Sequence, residues 1–159
     1  MIDSIKGDKI MTKVLIATYS RSGRTQGVAE ELAQLIDADM YKIEVAPNTF
    51  DRDMYKTDEI ATEQIKNNQY PKLVNEIPNV NQYDLILVGS PVWRGAPATP
   101  VHTFLEQIQN FPGKVASFYT DAGMADGYED TFKEWAGKLN VLPAHEGSND
   151  LAAWIEKLN

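Results

Sequence analysis

The chain has 159 residues, a formal net charge of −8 and no cysteine. Its length is typical of one globular domain, and its acidic balance argues against a nucleic acid as partner. The lack of cysteine excludes disulfides, thiolate nucleophiles and cysteine-ligated metal centres, and the two histidines, His102 and His145, lack the spacing of a zinc site.

The N-terminal stretch "MIDSIKGDKI" contains neither a hydrophobic core nor a small-residue cleavage site, so it does not resemble a signal peptide. We interpret residues 1–12 as an N-terminal extension and residues 13–159 as the domain. No apolar run approaches the roughly 20 residues that a membrane helix needs. We therefore expect a cytoplasmic protein without membrane contact.

Apolar runs and helical patterns alternate along the domain. The predicted strands are 13–19, 39–45, 84–90, 114–120 and 140–146. The first, third and fourth are nearly continuous apolar runs, as in central strands that are buried on both faces. The second alternates apolar and polar residues, and the fifth contains Pro143, so these two are expected at the edges of the sheet.

Five helices are predicted between and after these strands. Apolar side chains at helical spacing mark the first helix, namely Val28, Leu32, Leu35 and Ile36. The second is expected within 51–69, and the third begins near Pro97 or Pro100. The apolar stripe of the fourth helix is formed by Phe132, Trp135, Ala136 and Leu139. That of the fifth helix is formed by Leu151, Trp154, Ile155 and Leu158. This alternation predicts a doubly wound α/β fold with a five-stranded parallel sheet.

Ligands of such folds bind beyond the carboxyl ends of the strands. Three loops follow the three apolar strands: the first loop (20–25), the second loop (90–97) and the third loop (120–128). The first loop reads Ser-Arg-Ser-Gly-Arg-Thr and opens a helix. Gly23, the hydroxyl side chains and the helix start together predict a phosphate site. The alternative is that Ser22 or Thr25 only caps the helix while the arginines are solvated.

The first loop lacks the lysine of a P-loop and the glycine spacing of the dinucleotide fingerprint. It also lacks the cysteine that a low-molecular-weight phosphatase places there. These absences favour phosphate anchoring over phosphoryl chemistry. Of its arginines, Arg21 or Arg24 is expected to strengthen the hold on a dianion, so that replacing both with alanine weakens binding. Unchanged affinity would mean that they are surface charges only.

The second and third loops supply candidates for contact with a planar ligand. Trp93 is either a packing residue or a flat face for such a ligand, and Gly95 lets the backbone come close to it. In the third loop Tyr128 is a candidate second aromatic face. The alternative there is an ordinary loop whose following helix is capped by Asp126 or Asp130.

Together these loops resemble the flavodoxin family. Ser20, Ser22, Gly23 and Thr25 match its Ser/Thr-x-Ser/Thr-Gly-x-Thr pattern, and the resemblance continues through "GSPVWRGAPATPVHTFL", "TDAG" and the final "LAAWIEKL". It covers residues 13–158. It implies a flavodoxin-like sheet with strand order 2-1-3-4-5 and an FMN site.

The resemblance implies that the first loop holds the FMN phosphate and that the other two loops flank the isoalloxazine ring. The implied cofactor-binding residues are Ser20, Arg21, Ser22, Gly23, Arg24, Thr25, Pro91, Val92, Trp93, Arg94, Gly95, Thr120, Asp121, Ala122, Gly123 and Tyr128. No catalytic residue is predicted, because no side chain forms a convincing acid, base or nucleophile. No metal ligand is predicted either.

The implied function is electron transfer between redox partner proteins through the flavin. The acidic chain favours partners with a basic docking surface, and we expect a monomer or a weak dimer. Two alternatives stay open. One is an FMN-dependent NAD(P)H:quinone or flavin reductase on the same fold, and the other is a non-redox module that binds a phosphate ligand.

Overall fold

The computed structural model describes residues 12–120 and 125–158, so residues 1–11 of the predicted extension lie outside it. The strands in these ranges are β1 Val14–Thr18, β2 Ala38–Lys42, β3 Leu85–Trp93, β4 Ala96–Pro97, β5 Lys114–Thr120, β6 Asn140–Val141 and β7 His145–Glu146. The helices are α1 Arg24–Leu35, α2 Met54–Asn67, α3 Thr99–Gln107, α4 Tyr128–Ala136 and α5 Leu151–Lys157. A short 3-10 helix spans Val80–Gln82.

The main sheet is parallel and runs in the order β2-β1-β3-β5-β6. The short strand β7 also pairs with β5. The predicted order 2-1-3-4-5 is confirmed, since β6 and β7 are two pieces of the fifth predicted strand. Pro143 lies between them and cannot donate to a strand ladder. Its carbonyl oxygen instead accepts the indole N–H of Trp154 at 2.9 Å.

Helices cover both faces of the sheet, as the doubly wound fold requires. Successive residues of a strand point to opposite faces, and β1 is buried on both. Leu15 and Ala17 belong to one apolar core with residues of α2, α3 and α4, whereas Val14 and Ile16 belong to a second core with α1 and α5. The carboxyl ends of β1, β3 and β5 are therefore fixed side by side at one edge.

The structure corrects two sequence expectations about the elements. Leu35, predicted in the buried stripe of α1, is 51% exposed because the helix ends at this residue and the chain turns toward β2. Residues 90–97, predicted as a loop, instead form the end of β3 and the antiparallel strand β4, which pairs Val92 with Pro97. Of the two predicted starts for α3, the one near Pro100 is confirmed.

The second helix, α2, lies within the predicted range 51–69. The Asp53 carboxylate accepts the backbone N–H of Tyr55 at 2.9 Å and caps the helix. None of the helices formed by the described residues has the length and apolar character needed to cross a bilayer.

Candidate functional site

The ends of β1, β3 and β5 surround a crevice of about 410 Å³. The volume lies within the range of small-molecule sites. The first loop, the β3–β4 hairpin, β5 and α2 all contribute to its lining. The lining residues are Arg21, Ser22, Arg24, Met54, Asp58, Pro91, Val92, Trp93, Arg94 and Thr120. The structure thus brings together eight residues that the sequence proposed and two, both on α2, that it did not.

Ser20 organises the first loop. Its hydroxyl oxygen accepts the backbone N–H of Gly23 at 3.1 Å and that of Gln26 at 3.2 Å. It therefore caps α1, whereas the sequence alternative had named Ser22 or Thr25 for this role. Gly23 has a φ of 94°, a left-handed conformation that glycine adopts without a steric penalty. This turn leaves Ser22, Gly23 and Arg24 exposed at the helix start.

Thr25 connects the first loop to the neighbouring strand rather than facing the crevice. Its side chain is buried, and its hydroxyl shares a 2.9 Å hydrogen bond with the hydroxyl of Thr120 at the end of β5. This bond ties the first loop to the end of β5. Thr120 itself lines the crevice.

The two arginines of the first loop differ in their contacts. The Arg21 guanidinium reaches the start of α2, where Nη2 donates to the carbonyl oxygen of Arg52 at 2.8 Å and to that of Asp51. Arg24 is exposed at the first position of α1, and its guanidinium forms no ion pair with a carboxylate in the described parts of the chain. A cation at a helix N-terminus favours a bound anion together with the helix dipole.

Trp93 is packed and 5% exposed. Its ring lies edge-on against Tyr19, with centroids 5.7 Å apart, and edge-on against Phe50 at 5.0 Å. Burial raises the pKa of Tyr19 to about 12, and the Arg21 guanidinium partly opposes that rise. Of the two sequence interpretations of Trp93, the structure therefore favours packing, although part of the residue still borders the crevice.

The tip of the hairpin is a two-residue turn with both residues in left-handed conformation, Arg94 at φ 52° and Gly95 at φ 78°. The Nε of Arg94 lies 3.4 Å from Oδ2 of Asp58, which joins the hairpin to α2. A Cβ on Gly95 would lie 2.6 Å from the carbonyl oxygen of Asp126. Gly95 thus allows close contact between the hairpin and the third loop.

Tyr128 does not line the crevice. It is fully buried, its ring stacks on Tyr119 at 4.2 Å, and its hydroxyl hydrogen-bonds that of Ser117 at 2.8 Å. Burial raises the pKa of the Tyr128 hydroxyl. The expectation that its ring faces a ligand is corrected, because its position at the first turn of α4 directs it into the core. The other third-loop candidates, Asp121, Ala122 and Gly123, lie outside the described residues.

The sequence reasoning missed Met54 and Asp58 as lining residues. One carboxylate oxygen of Asp58, Oδ1, is buried and has no hydrogen-bond partner in the described structure. Both residues lie on one face of α2, four positions apart, which is a helical spacing. That spacing was visible in the sequence, but nothing there indicated that this face borders the ends of the strands. Within the described residues no group of His, Asp and Glu side chains is arranged to hold a metal ion.

Residues 13–158 match the family profile described as Flavodoxin. A flavoprotein of Lactobacillus acidophilus, solved in complex with FMN, is 42% identical, covers 91% of this chain and 99% of its own, and superposes with a TM-score of 0.86. The apo-form of the flavoprotein from that organism is also 42% identical, with coverage of 92% and 99% and a TM-score of 0.74.

A more distant structure shares the fold. Oxidised flavodoxin 1 of Bacillus cereus is 17% identical over 92% of this chain and 91% of its own, with a TM-score of 0.50. The family match spans both apolar cores, the first loop and the hairpin of the crevice. The chain belongs to the flavodoxin family.

Proposed function

We propose that this flavodoxin-family protein binds FMN in the crevice and carries electrons between redox partner proteins. FMN is supported as the cofactor by the family and by the 42% identical flavoprotein that was solved with it. The observation that carries the proposal is the polarity of the crevice. Arg21, Ser22 and Arg24 give it a polar, positively charged part of the lining, whereas Pro91, Val92 and Trp93 give it an apolar part.

The residues at the helix start suit a phosphate. The first N–H groups of a helix lack intrahelical acceptors, and Ser20 accepts only that of Gln26 within the first turn. The exposed Arg24 adds a positive charge, and a Cβ on Gly23 would meet nothing within 4 Å. A dianion can therefore approach this backbone without a steric obstacle.

The hairpin end suits a planar apolar ring. Pro91 and Val92 are half-buried at the end of β3, and Met54 of α2 lines the same crevice. Trp93, itself a lining residue, packs edge-on against Tyr19 and Phe50. These side chains would orient the ring and exclude water from one side of it.

When bound, FMN supplies the one- and two-electron chemistry, and the protein supplies binding and electrostatics. Asp58 and Arg94 place one negative and one positive side chain beside the same part of the crevice. The Asp58 carboxylate opposes added negative charge in the crevice, whereas the Arg94 guanidinium favours it. No residue is assigned a catalytic role.

The proposed partners are proteins with a basic surface, because a chain of net charge −8 attracts them over distance. We also propose a cytoplasmic location and a monomeric or weakly dimeric state, as expected from the sequence. The partners are proteins rather than nucleic acids, whose phosphates an acidic chain repels.

The proposal is tested by titrating the flavin-free protein with FMN and measuring the quenching of flavin fluorescence at each addition. We expect one FMN per chain, and weaker binding of riboflavin, which lacks the phosphate. The second step is anaerobic mixing of the FMN-loaded protein with NADPH alone. A carrier leaves the flavin absorbance unchanged, whereas rapid bleaching identifies a reductase. Failure to bind FMN would favour a non-redox phosphate-binding module.

A further inference from the structure

The two helices that border the crevice are anchored very differently. Four residues of the 12-residue α1 are buried, Thr25, Val28, Ala29 and Leu32, whereas only Thr57 and Ala61 are buried in the 14-residue α2. Burial of apolar surface is the main force that fixes a helix on a sheet. Since α2 buries little apolar surface, the position of this helix depends on a few polar contacts.

Arg21 makes most of these contacts at the start of α2. Its Nη2 donates to the backbone carbonyl of Asp51, to that of Arg52 at 2.8 Å and to the hydroxyl oxygen of Thr57 at 3.3 Å. The Thr57 hydroxyl also donates to the Asp51 carbonyl at 2.8 Å, and it accepts the Asp51 N–H at 3.2 Å. Arg21 from the first loop and Thr57 from α2 thus hold the same backbone segment.

Two further contacts hold α2, but neither fixes its first turn. Asp58 pairs with Arg94 of the hairpin, and the Gln64 side chain accepts the hydroxyl of Thr99 near the other end of the helix. Ahead of the helix, the Phe50 ring packs against Trp93. Loss of the Arg21 contacts would therefore loosen the start of α2 locally rather than release the whole helix.

The start of α2 matters for the crevice because it carries Met54 and lies one turn before Asp58, the two α2 residues of the lining. Arg21 lines the crevice as well. We propose that Arg21 is a positioning residue, which sets the α2 wall of the crevice by holding the backbone at Asp51 and Arg52. This role concerns the proposed FMN site, and its test by flavin binding rests on the proposed function. It differs from the simple phosphate contact expected from the sequence.

Flavins with and without a phosphate separate the two roles. The variants are Arg21→Ala and, as a matched control, Arg24→Ala, which removes the same charge from the same loop without touching α2. Loss of a phosphate contact weakens the binding of FMN only, whereas a displaced α2 wall weakens the binding of riboflavin as well. A charged hydrogen bond contributes enough for about a tenfold change in affinity.

We expect both variants to bind FMN about tenfold more weakly. Only Arg21→Ala is expected to weaken riboflavin binding clearly, by at least about threefold relative to Arg24→Ala. Equal riboflavin affinities in the two variants would overturn the positioning role and leave Arg21 as a phosphate ligand. If the unmodified protein binds neither flavin, the proposed function fails, and the next measurement alone tests Arg21.

Amide hydrogen exchange of residues 50–58 in the full-length, flavin-free protein is that measurement. Arg21→Ala is expected to raise exchange in this segment about tenfold relative to the unmodified protein, while Arg24→Ala leaves the segment protected. Arg21→Lys retains a cationic donor group without the planar guanidinium and should restore part of the protection. Should Arg21→Ala fail to fold, Thr57→Val removes the other half of the contact and keeps the charge. Unchanged exchange in Arg21→Ala, or in Thr57→Val where Arg21→Ala does not fold, would overturn the proposal.

Discussion

The first loop and the β3–β4 hairpin each contain a glycine at positive φ and at least one arginine, yet different forces hold them. Hydrogen bonds to the Ser20 hydroxyl shape the first loop, and nothing lies within 4 Å of a Cβ on Gly23. The hairpin is held by packing, with Trp93 buried and Gly95 against the Asp126 carbonyl. The open space beside the polar groups of the first loop suits a ligand, whereas the close packing of the hairpin suits a rigid wall.

Of the variants considered, the one that removes the Trp93 ring from the hairpin should lower the free energy of unfolding most. Truncation of a buried tryptophan to alanine costs about 3–5 kcal/mol, because Tyr19 and Phe50 lose a packing partner. The free energy of unfolding, from urea denaturation, measures this. Tyr55→Ala is the control, since Tyr55 is 79% exposed and its removal should change stability by less than about 0.5 kcal/mol. A loss of about 0.5 kcal/mol or less in Trp93→Ala, the size of a surface change, would contradict the packing role.

The two glycines offer a matched comparison. Gly23→Ala and Gly95→Ala both place an L side chain at positive φ, which costs about 1–2 kcal/mol. Gly95→Ala must in addition push a backbone carbonyl away from 2.6 Å, so we expect it to be less stable than Gly23→Ala by about 1–3 kcal/mol. Urea denaturation of both variants tests this difference. Equal losses would mean that the hairpin and the third loop separate at little cost.

Ser20→Ala should weaken the first loop by a smaller amount. The variant leaves the N–H groups of Gly23 and Gln26 without the hydroxyl acceptor, and loss of such a cap costs about 1 kcal/mol. Ser22→Ala is the control, because Ser22 is exposed in the same loop. Equal unfolding free energies for the two variants would show that the Ser20 bonds do not stabilise the loop.

The sequence predicted the parts of this molecule that local physics determines. Continuous apolar runs identified β1, β3 and β5, and the polar first loop identified the start of α1. Positions that depend on contacts between distant segments were not predictable in this way. Tyr128 follows a loop that contains two glycines, and the sequence predicts that its ring faces a ligand. It lies in the core instead because of its contacts with Ser117 and Tyr119.

The hairpin and the α2 wall were missed for similar reasons. Arg94-Gly95 is not among the usual dipeptides of a two-residue hairpin, since a non-glycine residue such as arginine rarely adopts a positive φ. Met54 and Asp58 border the crevice only because α2 lies beside the hairpin. Their spacing on the helix was visible in the sequence, but the tertiary contact was not.

The Asp58–Arg94 pair, which joins the hairpin to α2, should have the smallest effect on stability. The Arg94 side chain is 56% exposed, and partly exposed pairs contribute about 0–1 kcal/mol. Asp58 also keeps one carboxylate oxygen buried without a partner, and that desolvation opposes the gain from the pair. Asp58→Asn removes the charge, and with it both the attraction to Arg94 and the desolvation cost of the carboxylate. We therefore expect a net change in the free energy of unfolding of less than about 1 kcal/mol.

Arg94→Ala should cost more than Asp58→Asn, because it removes the attraction and leaves a partly buried carboxylate without its counter-charge. Unfolding free energies at low and high salt separate the contributions, since salt screens the exposed side of the pair. A larger loss in Asp58→Asn than in Arg94→Ala would contradict this reasoning. It would mean that the Asp58 carboxylate stabilises the fold through an interaction other than its pairing with Arg94.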